Sequence, residues 1–295
     1  MSRTLFQTTI FQPTIFQRTI SRRITMAIPG VLAALLCLPL NAQWLNYPTP
    51  GLPRMANGKL NAAAPVPRTA DGKPDFSGLW ESARRGAAQP GAPGGQAIGA
   101  DIAIGGSGDL GRFVKGGLPY SPWGAELLKA RHANEDKDDP DGYCQPLGLV
   151  RMQMIEGPRR IVQVPGLLVI LFERDNVFRQ IFTDGRPLPV DPQPAFNGYS
   201  TGKWEGDTLV VQSAGFKDGM WLDNIGSPFT ADARVTERFR RPSFGNLEIE
   251  VTVDDPKAYT KPWTYTVHQV IAVDSEIMEF FCTENNRDPA HLVGK

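Results

Sequence analysis

The chain has 295 residues, with 31 Lys and Arg against 31 Asp and Glu, and 41% of it is hydrophobic. That length allows a substantial core, and the balanced charge offers no basic excess to neutralise nucleic-acid phosphates, so no nucleic-acid partner is expected. Glycine and proline number 30 and 26, which predicts many turns without reaching a disordered composition.

Residues 4–23 hold four degenerate copies of a pentapeptide, from Thr4-Leu5-Phe6-Gln7-Thr8 to Thr19-Ile20-Ser21-Arg22-Arg23. A period of five fits neither strand nor helix, so the segment reads as an unstructured leader. Arg22-Arg23, an apolar run over 27–40 and the small Ala42 follow. These are the basic, apolar and cleavage regions of a secretory signal, with cleavage expected near Ala42–Gln43. The run is too short to span a bilayer, and no membrane span is expected elsewhere. Ser21-Arg22-Arg23 is similar to the start of a twin-arginine signal, although Thr25 stands where a bulky apolar residue is usual, so the export route stays open. Loss of residues 1–43 removes four arginines and no acid, leaving 27 basic against 31 acidic side chains. It also leaves two cysteines, Cys144 and Cys282. In the periplasm or outside the cell such a pair is expected to bridge. No second Cys or His stands at ligand spacing from either, so neither metal nor cofactor is expected.

Residues 44–120 read as an extended lead-in that carries a first strand at 76–80 and a Gly/Ala/Pro-rich loop over 84–117. That loop cannot bury enough apolar surface to offset its ordering entropy and is expected to be mobile. Residues 121–295 read as a helix followed by an antiparallel β domain. Ser121 is an N-cap candidate, Pro122 fits the first helical position, and Trp123, Leu127, Leu128 and His132 mark one face of a helix ending near Asn134. The acidic loop after it has Pro140 and Leu147 where a calcium loop would need other residues, so it reads as solvated.

From residue 158 the pattern turns to strands, predicted at 161–164, 167–173, 178–183, 199–204, 208–213, 233–240, 247–253, 263–273 and 276–283. They are short, rich in β-branched and aromatic residues, and separated by turn chemistry such as Asp184-Gly185 and Glu205-Gly206-Asp207. The expected fold is mainly β, a single antiparallel barrel or sandwich. In the clearest hairpin Val235, Glu237 and Phe239 share the face that should be buried, opposite Leu247, Ile249, Val251 and Val253. The other face pairs arginines with acids across the strands. Glu237 is the exception to the pattern. A buried carboxylate must be paired, hydrogen-bonded or protonated, so it is either a core residue bridged to an arginine or a pocket acid.

Several segments carry a resemblance. Pro67-Arg68-Thr69-Ala70-Asp71-Gly72-Lys73-Pro74-Asp75-Phe76-Ser77-Gly78-Leu79-Trp80 resembles the opening of a family of exported, β-rich bacterial proteins without an assigned activity. Arg179-Gln180-Ile181-Phe182-Thr183-Asp184-Gly185-Arg186-Pro187, Gly202-Lys203-Trp204-Glu205-Gly206-Asp207-Thr208-Leu209-Val210-Val211, Val235-Thr236-Glu237-Arg238-Phe239 and Asp255-Pro256-Lys257-Ala258-Tyr259-Thr260-Lys261-Pro262-Trp263-Thr264 resemble the same family. The family's pattern has a His-Ser pair where this chain has Phe229-Thr230, so any chemistry resting on that histidine is missing here. The resemblance implies export and a β-rich fold, and it names no reaction. Gly78-Leu79-Trp80 and the hairpin at 204–209 are also similar to lipocalin-type barrels, which favours a barrel over a sandwich.

No Gly-x-Ser-x-Gly elbow, phosphate-binding Gly-x-x-x-x-Gly-Lys loop or His-Glu-x-x-His segment is present. The expectation is an exported protein that binds a small organic ligand, whether sugar, phenolic or lipid-like, in a barrel cavity lined by Tyr199, Trp204, Trp221, Trp263 and Glu237. A carbohydrate- or phenolic-active lyase or hydrolase is the alternative, with Glu237 and Asp223 as acid and base and His268 assisting. An envelope structural or interaction protein is the third. Oligomeric state is not readable from the sequence.

Overall fold

The computed structural model describes residues 48–83, 108–155 and 157–284. The expected leader and cleavage site, most of the Gly/Ala/Pro-rich loop and His291 lie outside the described residues.

Alternating apolar and polar residues form nine strands that close into a barrel. They are β1 (Gly78–Ser82), β2 (Arg159–Val164), β3 (Leu167–Phe172), β4 (Phe178–Phe182), β5 (Tyr199–Glu205), β6 (Thr208–Ala214), β9 (Arg234–Ser243), β10 (Asn246–Asp254) and β11 (Trp263–Ile271). The short strands β7 (Met220–Trp221) and β8 (Pro228–Phe229) pair separately. Around the barrel the order is β1-β11-β10-β9-β6-β5-β4-β3-β2. Every pairing is antiparallel except β4 with β5, which run parallel through Ile181↔Ser200 and Phe182↔Thr201. Closure leaves no open edge, which is how an all-β chain avoids edge-to-edge association.

The inward face is set by the alternation. Val235, Glu237 and Phe239 of β9 and Leu247, Ile249, Val251 and Val253 of β10 are buried as predicted, each at 0–1% exposure. On the outer face Arg240 stands opposite Glu248 and bonds to it at 3.1 Å. Arg238, opposite Glu250 in register, reaches instead to Glu205 at 3.0 Å.

The helix α1 (Pro122–Ala133) starts where predicted, with Ser121 accepting a hydrogen bond from the Gly124 N–H at 3.0 Å. Its buried face differs from the predicted one. Trp123 is 42% exposed and His132 is exposed, while Gly124 and Arg131 are buried. The helix approaches the Ala258 carbonyl so closely that a Cβ at Gly124 would lie 2.3 Å from its oxygen, and this contact sets the rotation. Arg131 then bonds to the Gly226 carbonyl at 2.7 Å and covers the Trp221 ring at 4.7 Å.

A second helix, α2 (Leu149–Met154), is absent from the sequence reading, and all six of its residues are buried. It is apolar all round except for Arg151 and Gln153, so no amphipathic period marks it. Two predicted strands also shift. β1 begins at Gly78, because the Phe76 N–H is taken by the Gln163 side chain at 2.9 Å. The segment 276–283 is no strand, since β1 and β10 already occupy both sides of β11. It forms a strap held by Asn176 against Phe280 at 2.7 and 3.2 Å, and by the Met278 N–H on Glu173 at 2.9 Å. The strap ends in the expected disulfide, with the Cys144 and Cys282 sulfurs 2.08 Å apart and a sequence separation of 138. A loop of that length gives about 4–5 kcal/mol in the chain-entropy view.

Among the described residues no helix is long and apolar enough to cross a membrane.

Candidate ligand-binding site

Strand direction defines two ends. β2 begins at Arg159, beside α2, and finishes at Val164, where its turn into β3 meets the β5–β6 hairpin at the other end. The two ends are built differently.

At the α2 end the barrel interior carries a chain of buried polar side chains. Arg179 on β4 forms an ion pair with Glu237 on β9, across β5 and β6. Arg179 also donates to Ser200 at 3.2 Å and Ser213 at 3.1 Å. Gln153 on α2 donates to Glu237 at 2.9 Å and accepts from Arg159 at 3.0 Å. Arg159 reaches further to the Ile155 carbonyl at 3.0 Å. Burial pushes the Arg159 guanidinium down to about 10, which still leaves it charged at neutral pH. Burial, and then the nearby Glu237 charge, hold the Tyr265 hydroxyl well above its ordinary value. Apart from the Arg159 Nε–H, which has no acceptor among the described residues, these groups satisfy one another in a low-dielectric interior, so removing any one strands its partners.

The opposite end is a mouth. The lead-in crosses it, held by Gln163, which accepts from the Phe76 N–H and donates to the Pro74 carbonyl at 3.1 Å, and by Arg241, which donates to the Asp75 carbonyl. Arg68 grips Asp207 through bonds of 2.9 and 2.7 Å, and Phe76 stacks on Trp204 with centroids 5.5 Å apart. Between lead-in and barrel wall remains a cavity of about 430 Å³. Its apolar wall is Val164, Pro165, Leu168, Trp204 and Leu209, and its polar groups include Thr69, Gln163 and Thr183. Asp71 is the charged residue of the lining, and the Thr69 hydroxyl beside it holds its carboxyl below the ordinary value. A mostly apolar concavity with a few polar groups, in the size range of small-molecule sites, can take up an organic molecule.

The sequence-predicted residues do not converge. Glu237 is at 0% exposure in its ion pair with Arg179. Asp223 accepts from the Ser227 N–H at 2.9 Å, the Ser227 hydroxyl at 2.7 Å and the Leu110 N–H at 3.1 Å. Burial raises the Asp223 carboxyl above its ordinary value, with the Ser227 and Leu110 hydrogen bonds opposing. Ser227 also bonds to the Tyr120 hydroxyl at 2.8 Å, and burial pushes that phenol up to about 12. His268 lies on the outer face of β11, with Nδ1 3.9 Å from Glu248. In their hydrogen bonds Glu237 and Asp223 share no partner, and His268 is on the other side of the barrel wall from Glu237.

Of the four aromatics only Trp204 lines the mouth cavity. Trp221 lines a cavity of about 260 Å³ near α2, and Trp263 one of about 280 Å³ with residues 114–119. Tyr199 stacks on Phe182 at 5.3 Å and accepts a bond from Arg186 at 3.3 Å. Thr69, Asp71 and Thr183 went unnoticed in the sequence because small polar residues in turns carry no periodic signal. Arg179 had a legible signal: it alternates with Ile181 on an inward face, as Glu237 does with Val235 and Phe239. Among the described residues no group of three or more His, Cys, Asp or Glu is placed to hold a metal ion.

Comparison with protein-family models gives no match, and no curated protein matches the chain.

Proposed function

We propose that this is an exported protein of the family its motifs resemble, and that it binds a small, largely apolar and uncharged organic ligand at the barrel mouth. The observation that carries the reading is the 430 Å³ cavity between the lead-in and Trp204, with its apolar wall and single ionised Asp71. That carboxylate would meet a like charge on an anionic ligand, and the nearby Lys73 offsets part of that repulsion. Three segments that carry the family resemblance supply lining residues: Thr69 to Asp71, Thr183, and Trp204 with Leu209. The cysteine pair at bonding distance supports an oxidising compartment. The hydrolase or lyase alternative gains no support from the geometry, because Glu237 already bonds to Arg179 and Gln153.

Fluorescence titration of the mature protein with the neutral probe N-phenyl-1-naphthylamine tests this, with phenols, long-chain alcohols and sugars as competitors. Ala70 is exposed and lines the cavity, so Ala70→Trp fills it from the surface. Saturable binding that Ala70→Trp weakens about tenfold, or by about 1.4 kcal/mol, is the expected result. Absent probe binding, or binding that Ala70→Trp leaves unchanged, overturns the assignment.

A further inference from the structure

The cavity of about 260 Å³ near α2 lies between the turn at Pro140–Tyr143 and the segment from Lys217 to Trp221. Its floor is apolar and buried, with Leu147 at 4%, Met220 at 5% and Trp221 at 3% exposure. Its rim carries both signs of charge on neighbouring residues, Lys217 and Asp218, and both are exposed.

The remaining charges around it are engaged within the protein. Arg151 holds Asp139 through bonds of 2.7 and 2.8 Å and Asn224 at 2.6 Å, and Asp141 accepts from Arg174 at 2.5 Å. Lys217 differs: its ammonium rests over the Phe196 ring at 4.2 Å, and among the described residues no carboxylate pairs with it. Among the described residues Asp218 accepts only a long contact of 3.4 Å from the Ala231 N–H. Arg151 is 2% exposed, and its Nε–H has no acceptor among the described residues.

We infer that this cavity binds a free α-amino acid with an apolar side chain. The floor of Leu147, Met220 and Trp221 takes the side chain, Lys217 takes the carboxylate, and Asp218 takes the ammonium. The volume falls below the roughly 300–1,000 Å³ of drug-sized sites, which suits an amino acid and excludes a nucleotide-sized cofactor. A single exposed ion pair contributes little, so recognition needs both charges and the apolar floor together. Five of the lining residues, Pro140, Asp141, Gln145, Pro146 and Leu147, flank Cys144, so the disulfide to the strap fixes one wall of the site.

Isothermal titration of the full mature protein with L-leucine tests the inference. L-leucinamide lacks the carboxylate, and 4-methylpentanoate lacks the ammonium. Leucine is expected to bind at one site, with both analogues about three- to fivefold weaker. Lys217→Met and Asp218→Asn should each weaken leucine about three- to fivefold. Both side chains are exposed, so unchanged melting temperatures accompany that loss. Ala70→Trp, which fills the mouth cavity, should leave leucine binding untouched, so failure of one site is distinguishable from failure of the other. The inference is overturned if neither L-leucine nor L-phenylalanine binds at millimolar concentration. It is equally overturned if the analogues match leucine, or if Lys217→Met changes nothing.

Discussion

At one end of the barrel the six residues of α2 are buried, and hydrogen bonds run from Arg159 through Gln153 and Glu237 to Arg179. At the other end a lead-in segment crosses the opening, stacks Phe76 on Trp204, and leaves an apolar cavity beneath it. The first end is specified by directional bonds, because a group that loses its partner there is left in a low-dielectric interior. The second is held by the buried Phe76 ring stacked on Trp204, by bonds from Gln163 and Arg241 to the lead-in backbone, and by the exposed Arg68–Asp207 pair. The difference assigns roles to the two ends. The polar end ties β2, β4 and β9 to α2, and the mouth keeps an apolar cavity between the lead-in and the wall.

The sharpest way to break this comparison is to damage each end once. Glu237→Ala leaves Arg179 buried at 2% exposure without its anion, and about 3–5 kcal/mol of stability should be lost in urea unfolding. Ala70→Trp at the mouth should stay within about 0.5 kcal/mol of wild type, as an exposed substitution does. Removing both charges, as Arg179→Met with Glu237→Leu, should recover much of the loss, because the desolvation cost vanishes together with the pair. A loss below about 1 kcal/mol for Glu237→Ala would mean that water or rearrangement reaches the interior, and the contrast between the two ends would fail.

How far this was legible in the sequence depends on what kind of signal each part emits. The hairpin of β9 and β10 was readable residue by residue, since a period of two places Val235 and Phe239 inside and Arg240 against Glu248 outside. The cysteine bridge followed from arithmetic. α2 was not readable, because a helix buried on every side has no amphipathic stripe to display. The rotation of α1 was hidden for another reason: Gly124 faces inward through a close backbone approach to Ala258, and Arg131 is buried through hydrogen bonding, neither of which hydropathy registers. The aromatics chosen from the sequence scattered over three cavities and one surface stack, because aromatic character predicts burial and says nothing about convergence.

A smaller effect separates Asp223 from the ion-paired core. Its folded-state pKa lies above the ordinary 3.8 because burial outweighs its hydrogen bonds from Ser227 and the Leu110 N–H. A carboxyl raised by folding binds its proton more tightly in the folded state. Its contribution to stability is therefore fully present below the unfolded value and is lost as pH rises through the folded one. Asp223→Asn does not titrate, so wild-type stability minus variant stability should fall as pH rises from about 4 and level off above the folded pKa. Urea midpoints measured across pH 3–8 check the sign. A difference that rises with pH would show that hydrogen bonding outweighs burial at this carboxyl.

The smallest effect uses the same chemistry as the largest, a few residues away on the same strand. Glu237 points inward from β9, whereas Arg240 points outward and meets Glu248 at 3.1 Å with 58% of its side chain exposed. Water solvates the outer charges almost as well apart as together, and salt screens what attraction remains. A double-mutant cycle with Arg240→Ala and Glu248→Ala should return a coupling of a few tenths of a kcal/mol that fades in 1 M salt. The Arg179–Glu237 cycle should give several times as much and change little with salt, because the Arg179 side chain is 2% exposed and Glu237 is fully buried. Equal couplings would show that burial does not govern the strength of these pairs, and the distinction drawn between the α2 end and the solvent-facing wall would go with it.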